Sequence, residues 1–168
     1  VTPADERPAL DLPLSSGLSV ALVHPQIAPN TGNIARLCVA TGTPLHLVRP
    51  LGFTLADHQL KRSAMDYWPR LKLTLHDDLA SFLDPHPPAR CWYFDSAGTR
   101  SIWDATFTQG DTLVFGSETK GLPESLTAAN PDRLLRLPQV PGERCLNLSS
   151  SVAAALYEAL RQLHTAAR

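Results

Sequence analysis

The chain has 168 residues, of which 43% are hydrophobic and 18% charged, and its formal net charge is −1. That length favours one domain with a core large enough to need no staples, and the composition excludes a disordered or low-complexity chain. No apolar run approaches the ~20 residues that span a bilayer, and the near-zero charge lacks the basic excess usual in a dedicated nucleic-acid-binding domain, although Lys61-Arg62, Arg70 with Lys72, and Arg49 form local basic clusters that also suit a solvated mixed-charge surface.

Residues 1–17 are rich in Pro, Asp, Glu and Ser and lack a basic segment followed by an apolar core, so a loose N-terminal tail without a signal peptide is expected. Residues 18–168 then form a single domain. The run 18–23, between Gly17 and Pro25, reads as a strand. Beyond Pro29, Asn30 and Thr31 offer capping side chains to a helix. Its apolar positions are Ile34, Leu37 and Cys38, and Gly42 supplies the stop. Residues 45–48 form the next strand, 57–65 a second helix, and 71–75, alternating with period two, a third strand. A short helix spans 77–83 and a Pro-rich turn 84–89. Strands follow at 91–94, 112–115 and 134–137. The last helix runs from 147 to about 164, with Leu148, Val152, Leu156, Leu160 and Leu163 as one apolar stripe. Strands alternating with helices predict an α/β fold: a mostly parallel six-stranded sheet flanked by helices.

Three cysteines, Cys38, Cys91 and Cys145, are odd in number and widely spaced, which fits a reducing compartment, the cytoplasm, and no disulfide framework. The six histidines show no pair at metal-ligand spacing, so no metal is expected. The segment from Gly116 to Gly121 has the glycine spacing of a P-loop. Leu122-Pro123 follows where Lys and Ser or Thr would be required. No Gly-x-Gly-x-x-Gly follows the first strand and no Gly-x-Ser-x-Gly occurs. The common ATP, dinucleotide and serine-hydrolase sites are thereby excluded.

Four segments place small and polar residues where an apolar strand gives way to a helix or loop. They are Asn30-Thr31-Gly32-Asn33-Ile34-Ala35-Arg36, then Phe115-Gly116-Ser117-Glu118-Thr119-Lys120-Gly121-Leu122-Pro123, then Leu137-Pro138, then Cys145-Leu146-Asn147-Leu148-Ser149. At the carboxyl edge of an open α/β sheet such segments bind ligands. In this order and at these separations they resemble the SPOUT superfamily of knotted, S-adenosylmethionine-dependent RNA methyltransferases. The resemblance is closest to its TrmL-type branch, the tRNA (cytidine/uridine-34) 2′-O-methyltransferases, and extends from about residue 18 to 164. It implies a deep C-terminal trefoil knot and a homodimer whose sites draw on both chains. The implied partner is tRNA at the anticodon stem-loop, with no membrane partner.

The candidate site residues fall into three groups, the first two implied by the resemblance and the third by residue chemistry. Phe94, Gly116, Gly121, Leu137, Val140, Cys145 and Leu146 would hold S-adenosylmethionine. Glycine at 116 and 121 permits close backbone approach. Phe94 and Leu137 end strands, where side chains also commonly fill a core. Cys145 stands where many relatives carry Ser, which weakens a side-chain hydrogen bond but spares a backbone one. Arg36, Asn30, Glu118 and Asn147 are the catalytic candidates. Guanidinium keeps its proton up to a pH above about 12, so Arg36 reads as an electrostatic partner for a developing alkoxide or as a phosphate clamp. A surface arginine paired with a carboxylate is the alternative. Glu118 could orient Arg36 through a bidentate pair or be a solvated loop carboxylate. Asn30 could also cap the first helix, and Asn147 and Ser149 the last, with capping the stronger role for Ser149. Lys61, Arg62, Tyr67 and Lys120 are candidates for RNA docking, the tyrosine by stacking on an unpaired base.

Two other functions share these residues: 2′-O-methylation of another RNA, such as ribosomal RNA, and non-catalytic RNA or nucleoside binding by a dimer of the same fold. The lack of an appended RNA-binding module favours a compact target over the first. Intact Arg36, Glu118 and Asn147 argue against the second.

Overall fold

Small and apolar side chains at Ser19–Val23 form strand β1, and all five residues are buried. Burial on both faces of a strand requires helices above and below it, and the rest of the chain supplies them. The structure, a computed structural model, describes residues 17–56 and 65–166. In chain order, β1 is followed by α1 (Ala28–Thr41), β2 (Leu45–Val48), β3 (Leu73–His76), α2 (Leu79–Leu83), β4 (Cys91–Phe94) and β5 (Arg100–Ser101). Then come β6 (Thr112–Phe115), α3 (Glu124–Ala129), β7 (Leu134–Arg136) and α4 (Leu148–Ala166), with a 3-10 turn at Met65–Arg70 between β2 and β3.

The strands form one sheet in the order β3-β2-β1-β6-β4-β7-β5, and every pairing between them is parallel. The α/β class and the parallel sheet agree with the sequence reading, but the sheet has seven strands among the described residues instead of six. The addition is β5, two residues with no apolar alternation, defined only by pairing Arg100 with Leu135 and Ser101 with Arg136. Helix α3 was likewise not anticipated; its six residues follow Pro123 directly. The expected helix at 57–65 and most of the N-terminal tail lie outside the described residues.

Alternate residues of the central strands face opposite layers. Val20, Leu22, Leu45, Leu47, Trp92, Phe94, Leu113, Phe115 and Leu135 pack with Ile34, Ala35 and Cys38 of α1 and with Val152, Ala155, Leu156, Ala159 and Leu160 of α4. Each large aliphatic side chain buried there stabilises the fold by about 1.5–3 kcal/mol. On the other face Ala21, Val23, Val48, Cys91, Tyr93, Val114 and Leu134 pack with Phe82 of α2 and Leu126 of α3. Burial pushes the thiols up, Cys38 to about 12 and Cys91 to about 11, which leaves both unreactive.

Local signals set the helix ends. Gly42 stops α1 with φ 69°, its N–H returning to Cys38 and Val39 carbonyls. Asp78 and Ser81 form a reciprocal capping box on α2. Beside α2, three histidines far apart in sequence converge. The Nδ1 of His46 and the Nε2 of His76 are 3.0 Å apart. The His86 ring stacks on Phe82 and meets the His46 ring edge-on at 4.6 Å. Burial, then the neighbouring His86 and His76, holds His46 down at about 4.

Candidate active site

The four central strands β1, β6, β4 and β7 run in one direction with Leu22, Phe115, Phe94 and Leu135 in register. The loops that leave their carboxyl ends therefore emerge on one edge of the sheet. Those loops carry, in strand order, residues 24–27, Gly116–Pro123, Asp95–Gly98 and Leu137–Asn147. The motif segments, dispersed over the sequence, are neighbours because the strand order interleaves them.

The loop after β1 turns sharply at His24, whose φ of 55° is unusual for a non-glycine residue. Four residues on, at Ala28, the chain enters α1. Its N-cap position is Ile27, with no side-chain cap, and Pro29 occupies the first turn. A carboxylate from another loop serves this end. Glu118 Oε2 accepts from Gln26 N–H at 2.8 Å, and Oε1 accepts from Ile27 N–H at 3.2 Å and from Asn30 Nδ2 at 3.1 Å. Anionic charge at a helix N-terminus is favourable. Asn30, buried, passes the connection on: its Oδ1 accepts from Asn147 Nδ2 at 3.0 Å. The Oδ1 of Asn147 accepts from the Ser149 and Ser150 N–H groups and, at 2.6 Å, from the Ser149 hydroxyl. One hydrogen-bonded line thus runs from the 116–123 loop through α1 to the start of α4.

The 116–123 loop is a tight crossing. Ser117 and Gly121 exchange backbone hydrogen bonds at 3.0 and 2.9 Å. A Cβ added at Gly116 would stand 2.0 Å from the carbonyl carbon of Gly121, so only glycine fits. Gly121 has φ 67°, and a Cβ there would meet the Asp95 carboxylate at 2.4 Å. Asp95 receives the N–H groups of Leu122 and Ala97, both at 2.9 Å. It fastens this loop to the one after β4. Phe94 and Phe115, at the ends of their strands, stack with centroids 4.7 Å apart and form the floor beneath these loops.

Residues 139–146 make one backbone–backbone hydrogen bond among the described residues, Glu143 N–H to the Val140 carbonyl. Val140 and Leu146 are 68% and 47% exposed, and Cys145 is exposed. This stretch offers free backbone donors and acceptors beside exposed apolar side chains, the surface that reads a nucleobase edge and face. Leu137 is half-buried against the core shared with α1 and α4.

Residues 17–157 match the SpoU rRNA Methylase family. The chain belongs to that family. It is 42% identical over 147 residues to the tRNA (cytidine(34)-2'-O)-methyltransferase of Escherichia coli K12, covering 87% of this chain and 94% of the relative. A solved structure concerned with 2-OH methylation of C/U34 on tRNA superposes with a TM-score of 0.83 at 45% identity, covering 90% of this chain and 97% of that one. The SpoU methyltransferase AviRb from Streptomyces viridochromogenes, in complex with the cofactor AdoMet, superposes with a TM-score of 0.77 at 25% identity, covering 95% of this chain and 61% of that one.

Within this SpoU chain the candidate residues separate. Phe94, Gly116, Gly121, Leu137, Val140, Cys145 and Leu146 all belong to the carboxyl edge of β4, β6 and β7. Asn30, Glu118 and Asn147 are bonded to one another. Arg36 is not with them. It lies exposed on α1, six residues and therefore about 240° around the helix from Asn30, and its guanidinium sits over the Tyr67 ring at 5.2 Å. The expected Glu118–Arg36 pair does not form, because the Glu118 oxygens are taken by three other donors. Asn30 does not cap α1; it is inside the helix and bonds sideways. Asn147, not Ser149, caps α4. Lys120 is exposed on the 117–121 turn, while Lys61 and Arg62 lie outside the described residues. Gln26 and Asp95 were missed by sequence reasoning. Asp95 had a signal, a carboxylate between a strand end and Gly98, where Asp–Gly turns are expected. Gln26 had none, since it contributes its backbone.

Among the described residues no helix is long and apolar enough to cross a membrane, and no group of three or more His, Cys, Asp or Glu side chains could hold a metal ion.

Proposed function

We propose that this protein is an S-adenosylmethionine-dependent methyltransferase acting on the ribose 2′-hydroxyl of the wobble pyrimidine, position 34, of tRNA. Membership of the family, together with relatives above 40% identity whose names specify that reaction, supports it. The single structural observation that carries it is the Glu118–Asn30–Asn147 line, which ties three motif segments into one edge of the sheet.

The open backbone of residues 139–146, the exposed Val140 and Leu146 and the Phe94–Phe115 floor fit the uncharged adenosine moiety of a cofactor with no phosphate. Leu137, Cys145 and Leu146 would hold the adenosine, and Gly116 and Gly121 keep the adjoining loop close. When bound, S-adenosylmethionine supplies an electrophilic sulfonium methyl group. Glu118, with every hydrogen bond given to backbone and amide donors, is a positioning residue and not a base; so are Asn30 and Asn147. Arg36 keeps its proton and stabilises negative charge developing on the ribose O2′ as it attacks, and the hydroxyl proton passes to solvent water. Alignment of the hydroxyl with the methyl carbon contributes the rest.

A homodimer belongs to this reading. A second copy would bring Arg36 of one chain to the 139–146 loop of the other. A deep trefoil knot between β6 and α4 also belongs to it. The enzyme works in the cytoplasm, on the anticodon stem-loop, with Lys120 on the RNA side.

The test is nucleoside mass spectrometry of tRNA from a strain lacking the protein. Loss of one 2′-O-methylated pyrimidine at position 34, restored by wild type and not by Arg36→Ala, is expected. Unchanged tRNA with a lost ribosomal methylation would refute the substrate.

A further inference from the structure

The 3-10 turn Met65–Arg70 has three residues per turn, so side chains at i and i+3 eclipse. Tyr67 and Arg70 therefore share one face. Trp68 packs on the main core and fixes the turn. Across from it, α1 presents Arg36. Both guanidinium groups lie over the same ring, Arg36 at 5.2 Å and Arg70 at 5.3 Å from its centroid. Both arginines are exposed, and neither has a carboxylate partner among the described residues. Arg49, Arg90 and Arg161, by contrast, pair with Asp77, Asp111 and Glu158.

Two permanent positive charges braced on one ring repel each other. An exposed cation–π contact returns only about 0.5–1 kcal/mol. An anion bound by both offsets that repulsion and satisfies planar donor forks that match phosphate oxygens. We propose that Arg36 and Arg70, both braced on Tyr67, form a two-guanidinium clamp for a backbone phosphate of the RNA substrate, which makes Arg70 a substrate-positioning residue. The clamp rests on the RNA-methyltransferase reading above and extends it to a residue outside every motif segment. It also gives Tyr67 a different role from base stacking: the ring is a strut for two arginines. Because Arg36 is one jaw, gripping the phosphate places the ribose beside the residue that serves O2′.

The experiment uses the full chain and total tRNA from the deletion strain. Binding is measured by filter retention at several salt concentrations, and methyl transfer is measured separately. Arg70→Ala is expected to weaken tRNA binding several-fold and to lower the slope of log K against log salt by about 1, the signature of one lost phosphate contact. Its loss of kcat/KM is carried by KM for tRNA, with S-adenosylmethionine affinity unchanged. Arg70→Lys restores the salt slope, since the charge returns, and Tyr67→Phe keeps it, since the ring remains. A wild-type slope and KM in Arg70→Ala overturn the clamp. So does a binding loss with an unchanged slope, which marks a merely structural role. Absence of methyl transfer to tRNA by the wild type would refute the proposed function instead, and the salt slopes would still decide the clamp.

Discussion

Asn147 Nδ2 donates to Asn30 Oδ1 at 3.0 Å, joining residues 117 positions apart. The contact sets the start of α4 against the first turn of α1. Since Asn30 also bonds Glu118, disturbing any one of the three moves two loops and a helix end together.

Glu118→Gln replaces a carboxylate oxygen with an amide that faces backbone donors. Chemical denaturation should show a loss of about 0.5–1 kcal/mol, and about 1–2 kcal/mol for Glu118→Ala, which leaves both exposed N–H groups to water. An unchanged midpoint for both would mean that the carboxylate carries no structural role.

Arg36→Ala should lower kcat for methyl transfer by roughly 10²–10³-fold, the usual loss for one electrostatic donor at a developing oxyanion. Calorimetry should find S-adenosylmethionine affinity close to wild type, because the residue lies outside the segments assigned to the cofactor. Retained turnover would remove Arg36 from the chemistry.

At Gly116 and Gly142 the same substitution separates crowding from backbone strain. Gly116→Ala meets the Gly121 backbone at 2.0 Å and should cost more than about 3 kcal/mol or prevent folding. Gly142→Ala meets nothing within 4 Å but has φ 87°, and should cost only about 1–2 kcal/mol. Thermal unfolding of the two variants checks the order.

His46 titrates near 6.5 when the chain is unfolded and near 4 when folded. Between those values the unfolded state binds more protons, so stability rises with pH there. The contribution is complete above about pH 6.5 and disappears as pH falls toward 4. Solvent at the open side of the histidine group screens part of it, leaving on the order of 1–2 kcal/mol. Urea midpoints measured from pH 7.5 to 4 should flatten in His46→Asn relative to wild type; parallel curves would assign the acid lability elsewhere.

Cys145 is exposed while Cys38 and Cys91 are buried with raised thiol pKa values. A thiol reagent should therefore label one site per native chain rapidly, and Cys145→Ser should abolish that reaction. Saturating S-adenosylmethionine should slow it. Labelling at an unchanged rate would place the cofactor away from this loop.

The parts of the fold that local chemistry dictates were legible in the amino-acid order. Strands β1, β2, β4 and β6 are apolar runs, and the α4 stripe is set by 3.6-residue spacing. Strand β5 was not legible, because Arg100 and Ser101 have no pattern of their own and become a strand only by lying beside β7. The cap of α1 was read at Asn30, three residues beyond Ile27, because the helix's anionic partner comes from Glu118, on a loop almost ninety residues away. The motif segments could be collected from sequence, but who bonds whom could not. Arg36 and Glu118 suggest a pair by charge; helix geometry turns them apart and gives Arg36 to Tyr67.

The strand order has a consequence for how the chain is made. Ser19 and its neighbours in β1 find one flank in β2 within some thirty residues, but the other flank is β6, at Thr112–Phe115. Until that segment leaves the ribosome, one edge of β1 keeps its backbone N–H and C=O groups unpaired beside mostly apolar side chains, and β4 has no route into the sheet. The nascent protein is thus committed to late, long-range closure, the slow and association-prone regime of assembly, and its yield should depend on protection by chaperones during synthesis.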